Sequence, residues 1–134
     1  MIWWGTSTNQ YKELEVVDGA SSVGFKIILH IQNLVQDGVG QYILKSSNFQ
    51  EQVNSISESL IFFKIWDMQI NNYAYYGSVA NEGVINITRY DTINFVTSGN
   101  FSGKFVRADN PNNFIQIMDG RFDTGSNLSN TKFP

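Results

Sequence analysis

Apolar side chains occupy every second position over residues 23–32, which read VGFKIILHIQ. The odd positions of this segment are all apolar, whereas the even positions hold glycine or polar residues, with Ile28 as the exception. Successive side chains of a β-strand point to opposite faces of the sheet, so this period is typical of a strand with one buried and one solvated face. The segment therefore predicts a half-buried strand that places His30 on the solvated face.

Clusters of Asp, Asn and Gly, which tolerate the backbone of tight turns, divide the chain into strand-like runs. These turn signals are Asp18-Gly19, Asp37-Gly38, Asn71-Asn72, Asn81-Glu82-Gly83 and the stretch 109–113. Eight strands are predicted between them, near residues 13–18, 22–34, 39–46, 60–70, 73–78, 83–90, 93–107 and 113–123. Because several connections are too short for a crossover helix, neighbouring strands are expected to pair antiparallel. The pattern predicts an all-β fold, either a barrel or a two-sheet sandwich.

One segment departs from the strand pattern. Residues 47–50 match a helix capping box, and apolar residues follow them at helical spacing. We therefore predict a short helix or an ordered loop near residues 47–59. The next run, 60–66, is apolar on both faces, so it is expected to be covered twice, by the opposite sheet and by this segment.

Composition narrows the possible functions. At 134 residues with 42% hydrophobic residues, the chain is expected to form a single domain, 1–134, with its own core. It has no cysteine, which excludes disulfides, thiol nucleophiles and thiolate metal sites. The net charge is −3 and the nine basic residues are scattered, so nucleic acid is not an expected partner. We expect no transmembrane segment and no cofactor.

The second half of the chain resembles a family of uncharacterised, often lipid-anchored envelope domains from Bacteroidota, mainly over residues 73–123. The residues that carry the resemblance are Gly83, Ile85, Ile87, Thr88 and Asp91, then Ser98, Gly99, Asn100 and Phe101, then Ile115, Ile117, Gly120, Phe122 and Asp123. Asn100 and Gly103 depart from the family pattern, which has Thr and Phe there. The resemblance implies an all-β fold and a location in the cell envelope or outside the cell (periplasm or outer-membrane surface). It transfers no catalytic residue, and lipid anchoring is implied by the resemblance alone.

The acidic residues of the Asp119 to Asp123 stretch are weak candidates for a metal site. Both carboxylates could bind calcium, but the spacing lacks the alternating carboxylates of a calcium loop and places Arg121 among them. The favoured interpretation is structural: Gly120 allows a bulge or a close backbone approach, and Phe122 packs into the core.

Catalytic chemistry finds little support in the sequence. His30 is the single histidine, which rules out a cluster of histidine metal ligands, and no nucleophile motif lies near it. Four carboxylates could converge for glycoside hydrolysis, although their spacing does not require it: Glu13, Glu15, Asp67 and Asp91. We therefore expect no catalytic residue and no enzyme activity.

Aromatic residues are the candidate binding residues. Trp3 and Trp4, together with Tyr73, Tyr75 and Tyr76, could form a platform that stacks sugar rings. Within the tyrosine group, alternation predicts that Tyr73 and Tyr75 share one strand face and that Tyr76 takes the other. The alternative is that one face lines the core and that the two tryptophans close a barrel end or dock on a neighbour.

The sequence thus favours a non-catalytic binding module whose target is a glycan or a partner protein. A barrel that carries a small apolar ligand is the alternative, and a carboxylate-dependent glycoside hydrolase is third. A carrier needs a cavity of several hundred Å3, but the positions predicted to face inward are bulky, so the interior is expected to be packed. These positions are Phe25, Ile27, Leu29, Phe62, Trp66, Ile85, Ile87, Phe95, Phe101 and Phe105.

Overall fold

The computed structural model describes residues 2–4, 11–17, 25–49 and 58–124. In chain order the elements are β1 Ile2–Trp4, β2 Tyr11–Val17, β3 Phe25–Gln32, α1 Leu34–Asp37, β4 Gly40–Ile43, β5 Leu60–Asp67, β6 Asn72–Asp91, β7 Val96–Arg107 and β8 Asn110–Thr124. The predicted all-β fold of about eight antiparallel strands is confirmed.

The strands form one antiparallel sheet in the order β1-β2-β3-β5-β6-β7-β8, and β4 pairs with β6 outside this path. β6 is the longest strand and pairs with β7 along one edge. Its other edge is shared by β5, which pairs with residues 72–77, and by β4, which pairs with residues 84–87. Within the described residues β1 and β8 are the ends of the sheet, so the sheet is open and is not a closed barrel.

A bulge in β6 replaces a turn that the sequence predicts. Asn81-Glu82-Gly83 was expected to separate two strands, but the chain continues as one strand and its register against β7 shifts between Ser78 and Gly83. Asn81 takes a left-handed backbone (φ 63°), and its N–H donates to the carbonyl of Leu44 at 2.9 Å. These residues, which favour turns, therefore form a bulge within β6, and the hydrogen bond from Asn81 connects β6 to the segment after β4.

The β7–β8 hairpin confirms the expected pairing of the last two strands. It turns at Ala108 and Asp109, and Phe101 and Phe105 are buried as expected. The predicted start of β7 is wrong, because Ile93 and Phe95 lie in the preceding turn with 84% and 64% of their surface exposed.

The helix is not where the sequence predicts it. α1 covers Leu34–Asp37, a segment assigned partly to the preceding strand, and Leu34 packs into the core. Residues 44–49 are not helical, and residues 50–57 of the predicted helix near 47–59 lie outside the described part of the chain.

One hydrophobic core gathers side chains from β2 to β8, and the sheet face that carries it is here called the inner face. Its buried members are Leu14, Leu29, Ile31, Leu34, Tyr42, Leu44, Ile61, Phe63, Ile85, Ile87, Phe101, Phe105 and Phe122. In a flat sheet β2 and β8 would lie about 24 Å apart, at roughly 4.8 Å per strand. A shared core therefore requires the sheet to curve around it.

Four of the ten positions predicted to face inward do not belong to the core. Phe25 is 40% exposed at the start of β3, and Phe95 lies in the turn before β7. Phe62 and Trp66 alternate with the core residues Ile61 and Phe63, so they lie on the opposite, outer face. The other six positions lie in the core or pack against it.

The prediction that His30 lies on a solvated face is wrong. His30 and Ile28 alternate with the core residues of β3, yet they are 0% and 3% exposed. Their partners on β5, Leu60 and Phe62, are also fully buried. The outer face of β3 is therefore also buried at Ile28 and His30. The order of polar and apolar residues along the strand does not indicate this burial.

Candidate functional site

The tyrosines of β6 take the two faces that alternation predicts. Tyr76 packs against the core, while Tyr73 and Tyr75 lie on the outer face. Across the strand pair, Tyr73 is opposite Trp66 and Tyr75 is opposite Lys64. Side chains opposite each other on neighbouring strands lie on the same face, so these four residues form one patch. We call Lys64, Trp66, Tyr73 and Tyr75 the aromatic platform.

Contacts within the platform hold its rings in place. Trp66 meets Tyr73 edge to face, with 5.2 Å between ring centroids and 87° between planes. The ammonium nitrogen of Lys64 lies 4.5 Å from the centroid of the Tyr73 ring. Tyr75 stacks on the buried ring of Phe62 at 5.7 Å and keeps 37% of its own surface exposed. Such aromatic and cation–π contacts limit rotamer freedom, so the platform is largely formed before any ligand arrives.

The β5–β6 turn sets the register that builds the platform. Asp67 accepts a hydrogen bond from the backbone N–H of Gln69 at 2.9 Å, and Asn71 has a left-handed backbone (φ 49°). Asp and Asn favour this geometry because their side chains bond to nearby backbone groups and tolerate positive φ. The strand pair therefore begins with Asp67 opposite Asn72, and Trp66 falls opposite Tyr73.

A loop borders the platform at Gly77, the next outer-face position of β6. A Cβ added there would overlap Ser47 and lie 3.0 Å from Cε1 of Phe49. The N–H of Ser47 donates to the carbonyl of Ser78 at 3.0 Å. The segment after β4 thus runs against β6 and limits the platform on this side.

A hydrogen-bond network around Arg107 holds the C-terminal end of β5, where Asp67 lies. Its guanidinium donates to Asp67 and to Asp109, both at 2.6 Å. The hydrogen bond from Arg107 is the main reason that the pKa of Asp67 is lowered. Asp109 and then Asp67 raise the pKa of Arg107 in turn.

This network predicts an acid-dependent loss of stability. The folded-state pKa of Asp67 lies below its ordinary value of 3.8. The ionised Asp67 carboxylate therefore stabilises the fold above that value, and this stabilisation is lost as the pH falls through the folded-state pKa. Between about pH 5 and about pH 3, the urea midpoint of the wild type should therefore fall more steeply than that of Arg107→Met. Arg89→Met is the control, since Asn94 rather than Arg89 is the main cause of the lowered pKa of Asp91. Equal slopes for the wild type and Arg107→Met would contradict this account.

The two tryptophans predicted to join the tyrosines lie elsewhere in the sheet. The backbones of Trp3 and Trp4 pair with Glu15 and Leu14, and their side chains lie outside the described part of the structure. Three strands, β2, β3 and β5, lie between β1 and β6 in the sheet order. The platform therefore contains Tyr73 and Tyr75 of the five predicted residues, with Lys64 and Trp66 in addition.

The weak metal candidates have ordinary protein partners. Asp119 accepts two hydrogen bonds from Arg121, at 3.2 and 3.0 Å, and Asp123 accepts one from the hydroxyl of Ser98 at 2.6 Å. A Cβ at Gly120 would overlap the ring of Phe101, and Phe122 is buried in the core. Across the described ranges, no group of three or more His, Asp or Glu residues is placed to hold a metal ion.

The four carboxylates considered for hydrolysis also have separate partners. These pairs are Glu13 with His30 at 3.3 Å, Glu15 with Lys26 at 3.1 Å, Asp67 with Arg107 at 2.6 Å, and Asp91 with Asn94 at 2.8 Å. A hydrolytic pair would need two carboxylates facing one scissile bond. None of these contacts builds such a pair.

Comparison with protein-family models, with curated proteins and with solved structures finds no match for this chain. The resemblance to the Bacteroidota envelope family therefore stays a prediction, as does the envelope location that it implies. In the described part of the chain, no helix is long and apolar enough to cross a membrane.

Proposed function

We propose that this protein is a non-catalytic binding module of the cell envelope or the extracellular space, and that its aromatic platform binds a glycan. The observation that carries the proposal is the preformed patch of Trp66, Tyr73 and Tyr75 on the outer face, with the Lys64 ammonium beside it. The apolar faces of sugar rings pack against aromatic rings. Tyrosine hydroxyls and the lysine ammonium supply hydrogen bonds to sugar hydroxyls.

The size of the platform favours a glycan over a protein partner. A stable protein interface buries more than about 1,000 Å2 around an apolar centre. The platform is much smaller, because it has only four side chains; Tyr75 is 37% exposed and Tyr73 is partly buried. An oligosaccharide that uses two or three stacking positions matches such a surface. The envelope location in this proposal rests on the family resemblance.

The apolar-carrier alternative has weaker support. The inner-face side chains pack together as one buried cluster, and Phe105, Ile85 and Ile61 have no exposed surface. Around these residues, side chains of this size use the space that an apolar ligand would need. The glycoside hydrolase alternative is weaker still, because its candidate carboxylates are engaged with separate partners.

Calorimetric titration with hexasaccharides of glucose, mannose and N-acetylglucosamine tests the proposal. At least one of these sugars should bind, and Tyr75→Ala should weaken its affinity about tenfold, because a stacking position is lost. Phe114→Ala is a matched control: Phe114 is 50% exposed and has the Lys104 ammonium 4.6 Å from its ring, but lies on β8. Equal losses in both variants, or no binding by the wild type, would refute the assignment of the platform.

A further inference from the structure

A second site lies at the end of β6 opposite to the platform. A cavity of about 270 Å3 opens between β2 and the β6–β7 turn. In the sheet, β2 is a neighbour of neither β6 nor β7. Its lining residues are Lys12, Tyr90, Asp91, Thr92, Phe95 and Thr97. Curvature of the sheet therefore creates a concave surface that no single strand pair encodes.

Lys12 is the basic residue in the lining of this cavity, and no carboxylate of the described residues forms an ion pair with it. It is partly buried, and no hydrogen bond or ion pair joins it to another described residue. The nearby carboxylate of Asp91 is already engaged: one oxygen accepts the N–H groups of Ile93 and Asn94 at 3.0 Å, and the other accepts the Asn94 amide at 2.8 Å. An ammonium that is partly desolvated and has no partner among the described residues favours an anionic ligand.

Two aromatic rings form the apolar part of the wall. Tyr90 packs against the core, and burial raises the pKa of its hydroxyl, which therefore stays protonated and able to donate. Phe95 is 64% exposed and has a left-handed backbone (φ 56°), which is unusual for a residue of its size. The turn that Asp91 stabilises holds Phe95 at the mouth of the cavity.

We propose that this cavity binds a small organic carboxylate with an aromatic or apolar body. The Lys12 ammonium pairs with the carboxylate, the Tyr90 hydroxyl donates a hydrogen bond, and the body packs against the rings of Tyr90 and Phe95. A volume of about 270 Å3 suits a ligand with a single ring. This site is independent of the platform, so it stands or falls without the glycan proposal.

Titration of the full-length protein with phenylacetate, followed by the backbone amide signals in NMR, tests the site. The signals of Tyr90 and Thr97 should shift saturably, and phenylacetamide, which has the same ring without the charge, should bind about tenfold or more weakly. Lys12→Met should weaken phenylacetate binding by a similar factor. Lys104→Met, which removes another partly buried strand lysine, should leave it unchanged.

The outcomes separate this site from nonspecific binding. Equal affinity for the acid and the amide would overturn the proposal, as would unchanged phenylacetate affinity in a folded Lys12→Met variant or saturable shifts confined to other residues. Failure to saturate at millimolar phenylacetate would also overturn it. Should Lys12→Met not fold, the acid–amide comparison on the wild type decides, together with Phe95→Ser, which changes an exposed ring and should weaken phenylacetate binding.

Discussion

Replacing Phe105 by Ala is expected to lower the free energy of unfolding by about 3–5 kcal/mol, the usual cost of removing a buried aromatic ring. Phe105 has no exposed surface, and its ring contacts Phe63 edge to face at 4.8 Å and Phe101 at 6.4 Å. The cavity left behind would lie in the core that strands from both halves of the sheet share. Urea unfolding followed by circular dichroism measures the loss.

Phe114→Ala provides the matched comparison within the same hairpin. Phe114 lies on β8 with 50% of its surface exposed, and its loss should cost less than about 1 kcal/mol. If the two variants had similar unfolding midpoints, the core would not be organised around Phe105 as described.

Replacing Gly99 by Ala is the second substitution with a large expected effect, about 3 kcal/mol of lost stability, at the upper end of the overpacking range. The new Cβ would overlap the backbone carbonyl oxygen of Asn86 and lie 2.9 Å from Cζ of Phe122. Backbone cannot move aside as a flexible side chain can, so β6 and β7 would have to separate locally. Thermal and urea unfolding of the variant measure the effect.

Ser102→Ala is the control for the glycine substitution. Ser102 lies on the same strand three residues further on, is partly buried and pairs with Val84. Its replacement should change stability by less than about 0.5 kcal/mol. A Gly99→Ala variant as stable as this control would show that β6 and β7 do not approach as closely as described.

Period-two patterns correctly predicted the features that depend on the strand itself. The β7–β8 hairpin and the opposite faces of Tyr75 and Tyr76 follow from alternation along one strand, which is a local property. Register shifts lie beside Gly99 and Gly103, where the absence of a side chain permits a bulge.

The errors arose where distant parts of the chain decide the environment. His30 has the polarity of a solvated position, but Tyr11 stacks on its ring at 4.6 Å and Glu13 lies 3.3 Å from its Nδ1. Asn81 carries a turn signal, but a hydrogen bond to Leu44 makes it part of a bulge. Local sequence cannot distinguish these cases, because the partner lies many residues away.

For the same reason, the sequence predicted only part of the candidate site. Tyr73 and Tyr75 stand out because aromatic residues cluster along β6, whereas Lys64 and Trp66 join them through the register set by the β5–β6 turn. The sequence predicted strands near 60–70 and 73–78, so it did not locate the end of β5, which decides that Trp66 lies opposite Tyr73. The Lys12 cavity could not be predicted from the pattern at all, because Lys12 comes from β2, which pairs with neither β6 nor β7.

The most direct test of the central claim is the indole N–H signal of Trp66 in a 1H–15N NMR titration with the tightest-binding hexasaccharide of the panel. The signal is assigned as the one that Trp66→Phe removes. Trp66 packs edge to face on Tyr73, so a sugar that stacks on the platform must change its surroundings. A saturable shift of this signal, with the same dissociation constant as calorimetry, is the predicted result. Binding that leaves the Trp66 signal unmoved, or the absence of any binding hexasaccharide, would contradict the proposal that the aromatic platform binds a glycan.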